Sequence, residues 1–338
     1  MALQAFASMM RGMKLLLLAT LLLCLGSAAA LAQDTGPREG DPSVPKDGET
    51  VLRLQIFLDN NLFGPGKLDG AVGEFTYKAV VNYNYAHGHR DIYNWGPAIA
   101  AAEQEVPVPL AAFRVREDLL KHVNAALPEE PAEQVNFPAM AYRSLVELVS
   151  ERFHTDENFL AKLNPQRDLN NLRPGDVVVV PNIRPFRIED VKPLQSFPAD
   201  PALAENTIVI DTQERIAAVY TGDDRILAAF PITPGKPEFI PVGTWAVKTI
   251  LTTPTFRYDK QFLEEGTRGT EALNLPPGPN SPVGIIWCGL TKSGIGLHGT
   301  AAPSTIGRSR SAGCVRFANW DAIRLPQLIR AGSRVIVK

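Results

Sequence analysis

The 338-residue chain has few of the residue types that build metal centres or disulfide frameworks. It contains three cysteines and five histidines, and no two cysteines stand in a C-x-x-C arrangement. A structural zinc site needs closely spaced Cys and His ligands, so the sequence predicts no metal site and no cofactor. The formal net charge of -2 lacks the basic excess that is typical of nucleic-acid binding. We therefore expect no nucleic-acid partner.

Long hydrophobic runs are also absent, apart from one near the start of the sequence. Arg11 and Lys14 precede an apolar run, Leu15 to Leu25, and Ala30-Leu31-Ala32 then offers a small-x-small cleavage site. This order is typical of a secretory signal peptide, and the run is too short for a comfortable membrane span. We expect residues 1–32 to be removed, which predicts export to the periplasm or cell wall without stable membrane insertion. A retained anchor is the alternative.

Removal of that segment would leave two cysteines, Cys288 and Cys314. An oxidising compartment would permit one disulfide between them, and such a bond would inactivate a catalytic thiol. Cys288 lies in the apolar sequence VGIIWCGL, residues 283–290, which predicts a buried strand. We therefore interpret Cys288 as a packing residue and Cys314 as a free thiol.

One glycine-rich stretch, residues 294–321, contains a candidate nucleophile and a candidate base. His298 stands in Leu-His-Gly-Thr, and Cys314 follows sixteen positions later in Ser-Ala-Gly-Cys-Val-Arg. The thiolate of cysteine is its reactive form, so a neighbouring imidazole that takes the proton activates it. We predict that Cys314 is a catalytic nucleophile and that His298 is its base. The alternative is a small buried cysteine beside an unrelated histidine.

The residues around this pair are candidates for shaping the site. Gly313 permits a tight turn, so that the N–H groups of Gly313 and Cys314 can point at a developing oxyanion. Arg316 would share one face of a strand with Cys314, where it can bind a substrate carboxylate or form a structural salt bridge. The remaining candidates are Gly299 and Thr300 for substrate binding, and Ser311 for a hydrogen bond in the site or for shaping the turn.

Together these residues resemble the signature of the L,D-transpeptidase (YkuD-type) family. Many members carry a second histidine directly before Gly-Cys, where this chain has Ala312. The resemblance implies that Cys314 forms a thioester with a peptidoglycan stem peptide, releases D-alanine and passes the acyl group to an amine, giving a 3–3 cross-link. Water as the acceptor would make the enzyme an L,D-carboxypeptidase, and a protein amine would make it a protein-to-wall attachment enzyme. A non-catalytic wall-binding protein is the alternative of another class.

The predicted catalytic domain covers residues 207–338. Short alternating apolar segments with turn signals about ten residues apart predict a β-sandwich or barrel-like β domain, and the family resemblance implies the same fold. At its end, Asn319 and Asp321 are predicted to cap a helix over residues 320–329 instead of touching substrate.

Two smaller modules are expected before that domain. Residues 49–92 show helical spacing around a turn, and their Leu-Gln, Asp-Gly and Gly-x-x-Thr motifs resemble a small helical peptidoglycan-binding domain. Residues 139–183 read as helix, helix, turn and strand, and they resemble a glycan-binding LysM domain whose first strand would lie at 141–143. His154 is expected to face solvent at the end of a helix there.

The remaining segments connect these modules. Residues 93–138 are predicted to be an extension with one helix over 115–126, and residues 184–206 a proline-rich linker. The predicted fold class is therefore multidomain: a mainly β catalytic domain, a YkuD-like β-sandwich or barrel, preceded by a small α-helical module and a small α/β LysM-like module. Peptidoglycan, as stem peptides and glycan strands, is the expected partner.

Overall fold

The computed structural model describes residues 41–338, except residues 237, 241 and 310–312. The predicted signal peptide at 1–32 and the candidate residue Ser311 therefore lie outside the described residues. Over the described ranges, no helix is long and apolar enough to cross a membrane.

Three helices form the first part of the described chain: α1 (Gly48–Asn60), α2 (Glu74–Ala86) and α3 (Gly96–Glu105). Asp47 starts α1 by accepting a hydrogen bond from the Thr50 N–H at 2.8 Å. The apolar residues that pack in and beside the first two helices are buried; they include Leu54, Leu58, Phe63 and Val80. The helices predicted from apolar spacing are thus confirmed.

Gln55 fixes the turn that joins α1 to α2. Its Nε2 donates to Asp69 Oδ1 at 3.2 Å, to the Ala71 carbonyl at 3.1 Å and to Thr76 Oγ1 at 3.2 Å. Its Oε1 accepts from the N–H groups of Asp69 and Gly70. These hydrogen bonds to a buried amide explain why Asp69, Gly70 and Thr76 occur here, without any role in binding. The wall-binding role expected for residues 49–92 stays a prediction.

The middle of the chain places three α-helices between two paired strands. Strand β1 (Leu110–Arg114) runs antiparallel to β2 (Val177–Pro181), with Leu110 opposite Pro181. The short helix α4 (Pro131–Gln134) and the helices α5 (Leu145–Arg152) and α6 (Glu157–Leu163) lie between these strands in sequence. The LysM-like assignment itself stays a prediction.

Two local predictions in this region are wrong. The first strand is β1 and not residues 141–143, where Tyr142 forms only an isolated bridge with Val123. The helix expected over 115–126 is reduced to a 3-10 turn, Glu117–His122. The helix does not start at Val115 because the Val115 N–H donates to the Asp176 carbonyl beside β2, at 2.8 Å.

After the short helix α7 (Pro201–Ala204), the chain enters one large sheet. Its strands are β3 (Thr207–Asp211), β4 (Ile216–Tyr220), β5 (Ile226–Pro231), β6 (Gly243–Thr252), β9 (Ile286–Leu290), β10 (Gly296–His298), β11 (Val315–Arg316) and β12 (Arg334–Val337), in the spatial order β11-β10-β9-β6-β12-β3-β4-β5. A separate pair, β7 (Phe256–Tyr258) and β8 (Leu273–Leu275), flanks the helix α8 (Lys260–Glu265).

The two ends of this sheet approach each other. Thr233, just beyond β5, pairs with Arg316 of β11 through two N–H···O bonds of 2.9 Å. The expected mainly β domain is therefore confirmed as a single curled sheet that nearly closes on itself. Its closure point lies directly beside the predicted nucleophile.

His154 does not face solvent, so that prediction is wrong. A left-handed backbone conformation, with φ of 53°, turns the chain inward after α5, and the residue is 2% exposed. Its Nδ1 lies 2.7 Å from Asp59 Oδ2, and its ring stacks on Trp320. Because Asp59 belongs to α1 and Trp320 to α9 (Asn319–Ala322), His154 joins three parts of the chain, and residues 41–338 pack as one unit.

Candidate active site

Strands β10 and β11 bring His298 and Cys314 to adjacent positions. These strands are parallel, with Leu297 opposite Val315 and His298 opposite Arg316. Cys314 directly precedes β11 and therefore reaches the level of Gly296. Side chains alternate along a strand, so Cys314, His298 and Arg316 share one face of the sheet. The candidate nucleophile, base and cation are thus gathered on one face.

The ring of His298 is held by a backbone carbonyl. Its Nδ1 lies 2.6 Å from the carbonyl oxygen of Gly299, and a carbonyl can only accept, so Nδ1 carries the hydrogen and Nε2 has the free lone pair. The ring also stacks on Trp287 at 5.7 Å between centroids. Sequence reasoning could not identify what orients His298, because a main-chain carbonyl leaves no sequence signal.

Burial keeps this imidazole neutral at physiological pH. Desolvation lowers the pKa of His298 to about 4, and the positive charge of Arg316 acts in the same direction, against the opposing bond to Gly299. A neutral imidazole with a free Nε2 is the form that accepts a proton from a thiol.

Cys314 is half-buried, and its Sγ lies 3.6 Å from the carbonyl oxygen of Gly294. Burial raises the pKa of the Cys314 thiol to about 11, although a hydrogen bond from the Gly296 backbone and the charges of Arg316 and Arg268 favour the thiolate. The resting pair therefore consists of a neutral thiol and a neutral imidazole.

Cys288 behaves as the sequence predicted. It lies on β9, is completely buried, and forms no disulfide, as Cys314 also forms none. Burial raises the pKa of Cys288 to about 12, which keeps it an inert packing residue.

The backbone next to Cys314 is tightly packed. Gly313 has a φ of 123°, in the region that favours glycine. A Cβ added to Gly235 would lie 2.5 Å from Gly313 Cα, so the two chain segments touch through their backbones. This close approach agrees with the expected tight turn. The oxyanion role of Gly313 stays a prediction.

Asn319 fills a notch formed by two glycines beside the histidine. It is completely buried; its Oδ1 accepts from the Ile285 N–H and its Nδ2 donates to the Pro279 carbonyl, both at 3.2 Å. A Cβ on either Gly284 or Gly299 would lie 2.1 Å from this Oδ1. Gly299 is therefore explained by close packing, and Asn319 helps fix the carbonyl that holds His298.

The helix cap predicted for Asn319 and Asp321 is wrong. Helix α9 begins at Asn319 itself, follows Ala318, and has no side-chain cap bond. Asp321 instead accepts a 3.1 Å hydrogen bond from Arg324. Both side chains turn inward because they satisfy buried partners there, which a local capping rule does not anticipate.

Thr300, a candidate for substrate binding, is buried. Its Oγ1 accepts from the Ala302 N–H at 3.2 Å, so its visible role is to shape the loop.

Arg316 forms no ion pair with any described carboxylate, so the salt-bridge alternative has no partner in this part of the chain. Its charge stays available to a substrate carboxylate beside Cys314. No cluster of three or more metal-ligating side chains occurs among the described residues.

One family profile and several known proteins are similar to part of this chain. Residues 205–337 match the family profile of the L,D-transpeptidase catalytic domain, YkuD. YkuD of Bacillus licheniformis, named as a candidate L,D-transpeptidase, is 25% identical over 193 residues, which cover 57% of this chain and 92% of that protein. The Bacillus subtilis protein of the same name is 31% identical over 116 residues, covering 34% of this chain and 56% of its own length.

A solved structure is also similar. The L,D-transpeptidase from Mycobacterium smegmatis has 20% sequence identity and a TM-score of 0.32, and the match covers 40% of this chain and 58% of that one.

Proposed function

We propose that this chain, whose residues 205–337 match the L,D-transpeptidase catalytic domain family, is an exported cysteine transpeptidase that forms 3–3 cross-links between peptidoglycan stem peptides. The observation that carries the proposal is the orientation of His298. Its Nδ1–H is held by the Gly299 carbonyl, which leaves a basic Nε2 on the strand next to Cys314.

The first half-reaction is acylation. His298 Nε2 takes the proton from the Cys314 thiol, and the sulfur attacks the carbonyl carbon between the third stem residue and D-alanine. The tetrahedral intermediate collapses, the C–N bond breaks, and the proton on His298 passes to the leaving amine. D-alanine departs, and a thioester remains on Cys314.

The second half-reaction transfers the acyl group. An amine of another stem peptide attacks the thioester, and His298 Nε2 accepts the proton from that amine. The C–S bond breaks, and the proton on His298 passes to the sulfur and restores the thiol. Arg316, which has no described carboxylate partner, binds a substrate carboxylate and orients the stem peptide. If water replaces the amine, the same steps yield a carboxypeptidase.

Helix α2 contacts the loop between the two predicted catalytic residues. Arg215 Nη1 donates to the Gly307 carbonyl at 3.0 Å, while its Nη2 pairs with Glu74 of α2. A Cβ on Gly307 would lie 2.2 Å from the Phe75 ring, so α2 packs directly against this loop. We propose that the helical segment frames the active site as well as serving as a wall-binding module.

Mass spectrometry of muropeptides tests the proposal. The mature protein is incubated with a disaccharide-tetrapeptide, beside Cys314→Ala as the matched control. A dimer formed with loss of D-alanine, and absent with Cys314→Ala, supports transpeptidation. Tripeptide without dimer identifies hydrolysis instead. Unchanged substrate in the presence of a folded, reduced protein contradicts the proposal.

A further inference from the structure

A cleft away from Cys314 concentrates positive charge where three parts of the chain meet. It has a volume of about 470 Å³ and is lined by residues from the end of α1, the segment after β2, and the region after α9. We propose that this basic cleft, defined by Arg184, Lys192, Arg330, His154 and Trp320, binds the carboxylates of a peptidoglycan strand. The inference rests on the proposed function, because it adds a second contact with the same polymer.

Three of the cations in the basic cleft have no acidic partner. Arg184, Lys192 and Arg330 form no ion pair with any carboxylate in the described part of the chain, and all three line the same cavity. Two other lining arginines are already neutralised: Arg187 pairs with Glu189 and Asp190, and Arg324 pairs with Asp59 and Asp321. The whole chain has a net charge of -2, so this positive excess is local. Unpaired guanidinium and ammonium groups gathered in a concave site favour an anionic ligand.

One of these cations is held in place before any ligand arrives. The Arg330 guanidinium lies 5.4 Å from the centre of the Phe197 ring, and its Nη1 donates to the Ile329 carbonyl at 3.1 Å. Its Nε is buried and has no hydrogen-bond partner among the described residues. A donor that is already oriented loses little conformational freedom when it binds a carboxylate.

The floor of the basic cleft offers a second kind of unsatisfied polar group. His154 Nδ1 is bonded to Asp59, while its Nε2 is buried without a described hydrogen-bond partner. Burial lowers the pKa of His154, so Nε2 carries a lone pair and accepts from a hydroxyl or amide N–H, directly or through a water molecule. A ligand with carboxylates, hydroxyls and amides satisfies both features. A peptidoglycan strand carries all three, whereas a simple inorganic anion carries only charge.

A second contact suits an enzyme whose substrate is an immobile polymer. Binding one part of a strand in the basic cleft raises the local concentration of its other stem peptides at Cys314. The expected signature is a loss of polymer binding with no loss of chemistry on small acyl donors.

The test uses the full mature chain with Arg184, Lys192 and Arg330 all changed to Gln. The matched control changes three exposed cations that are outside the cleft and have no ion pair among the described residues: Arg90, Lys121 and Arg225. Co-sedimentation with insoluble peptidoglycan should weaken by at least about tenfold in the cleft variant and stay unchanged in the control. Acylation of Cys314 by a soluble carbapenem should remain the same in both.

The double change Arg184→Gln and Lys192→Gln, which keeps the Arg330 packing on Phe197, guards against misfolding and should give an intermediate loss. Equal binding by the cleft variant and the wild type would overturn the inference. Peptidoglycan whose carboxyl groups have been converted to neutral amides should bind the wild type only as weakly as unmodified peptidoglycan binds the cleft variant. If its binding is not weakened, and inorganic phosphate competes, the cleft recognises a phosphate-bearing wall polymer and the proposal is wrong. Failure of carbapenem acylation with intact sedimentation would refute the proposed function alone.

Discussion

Two buried histidines in this protein have nearly the same surroundings and opposite predicted roles. His298 and His154 are 4% and 2% exposed. Each is bonded through Nδ1, and each stacks on a tryptophan, with ring centres 5.7 Å apart for Trp287 and 5.3 Å apart for Trp320. Burial lowers the pKa of both rings. Burial, stacking and tautomer therefore do not distinguish a catalytic histidine from a structural one.

The difference lies in the partners. The Nδ1 of His298 is bonded to an uncharged carbonyl, that of Gly299, and the nearby side chain is a thiol that can give up a proton. The Nδ1 of His154 is bonded to Asp59, a carboxylate already paired with Arg324. The first arrangement permits a proton transfer from the thiol to the imidazole ring. The second closes a charge network that holds α1, the turn after α5 and α9 together.

The largest effect should come from removing the predicted catalytic pair, Cys314 and His298. We expect Cys314→Ala to abolish thioester formation and His298→Asn to slow acylation by about 10²- to 10⁴-fold. His154→Asn should leave the acylation rate within about threefold in protein that is folded, as befits a residue outside the chemistry. Stopped-flow acylation by a carbapenem measures all three. A comparable loss of rate in His154→Asn would remove the distinction between the two histidines.

The second effect should fall on stability and not on chemistry. Asp59→Asn removes one partner from a buried ion network and should lower the free energy of unfolding by roughly 3 kcal/mol, because Arg324 loses a buried counter-charge. The control is Asp118→Asn in the exposed pair with Arg116, which should change stability by less than about 1 kcal/mol. Urea unfolding gives both values, and equal effects would contradict a structural role for the His154 cluster.

The sequence predicted the site around His298 and Cys314, but it did not predict the surroundings of His154. His298 and Cys314 lie in a short motif whose chemistry depends on local residue types. Short strands are predicted from the alternation of apolar and polar residues. His154 has no such signal. Its burial depends on Asp59 and Trp320, which are distant in sequence, and on a left-handed turn at a non-glycine residue.

The same limit explains the other errors. The first strand of the middle segment lies at Leu110–Arg114, where it pairs with Val177–Pro181. Because this partner is remote in the chain, a local pattern did not predict the strand. Asn319 sits where a helix cap would be expected, but its hydrogen bonds go to Ile285 and Pro279. Local rules predict elements well, and they do not predict which distant element satisfies a buried polar group.

Asn319 offers a third test, of intermediate size. Asn319→Ala should empty the notch beside Gly284 and Gly299 and loosen the carbonyl that orients His298. We expect acylation to slow by about tenfold with KM little changed, because misplacement of a catalytic group affects the chemical step. Asn319→Ser, which keeps a hydrogen-bonding group, should recover part of the rate. A change in stability with no change in rate would mean that Asn319 only packs.

The smallest effect should appear in the pH dependence. The pKa of His298 is lowered to about 4, so its base form is complete well below neutral pH. Acylation should be level from about pH 6 to 9 and fall to half near pH 4, where the ring becomes protonated. An ordinary histidine would give a midpoint near 6.5, and such a midpoint would show that the ring is not buried in the working enzyme.

The most direct test of the central claim is the mass of the intact protein after reaction with a carbapenem. If His298 and Cys314 form the acyl-transfer pair, the wild type gains the mass of one acyl group, and peptide mapping places it on Cys314. Cys314→Ala should gain nothing. A wild type that stays unmodified while folded and reduced, or an adduct that maps to Cys288, would contradict the account.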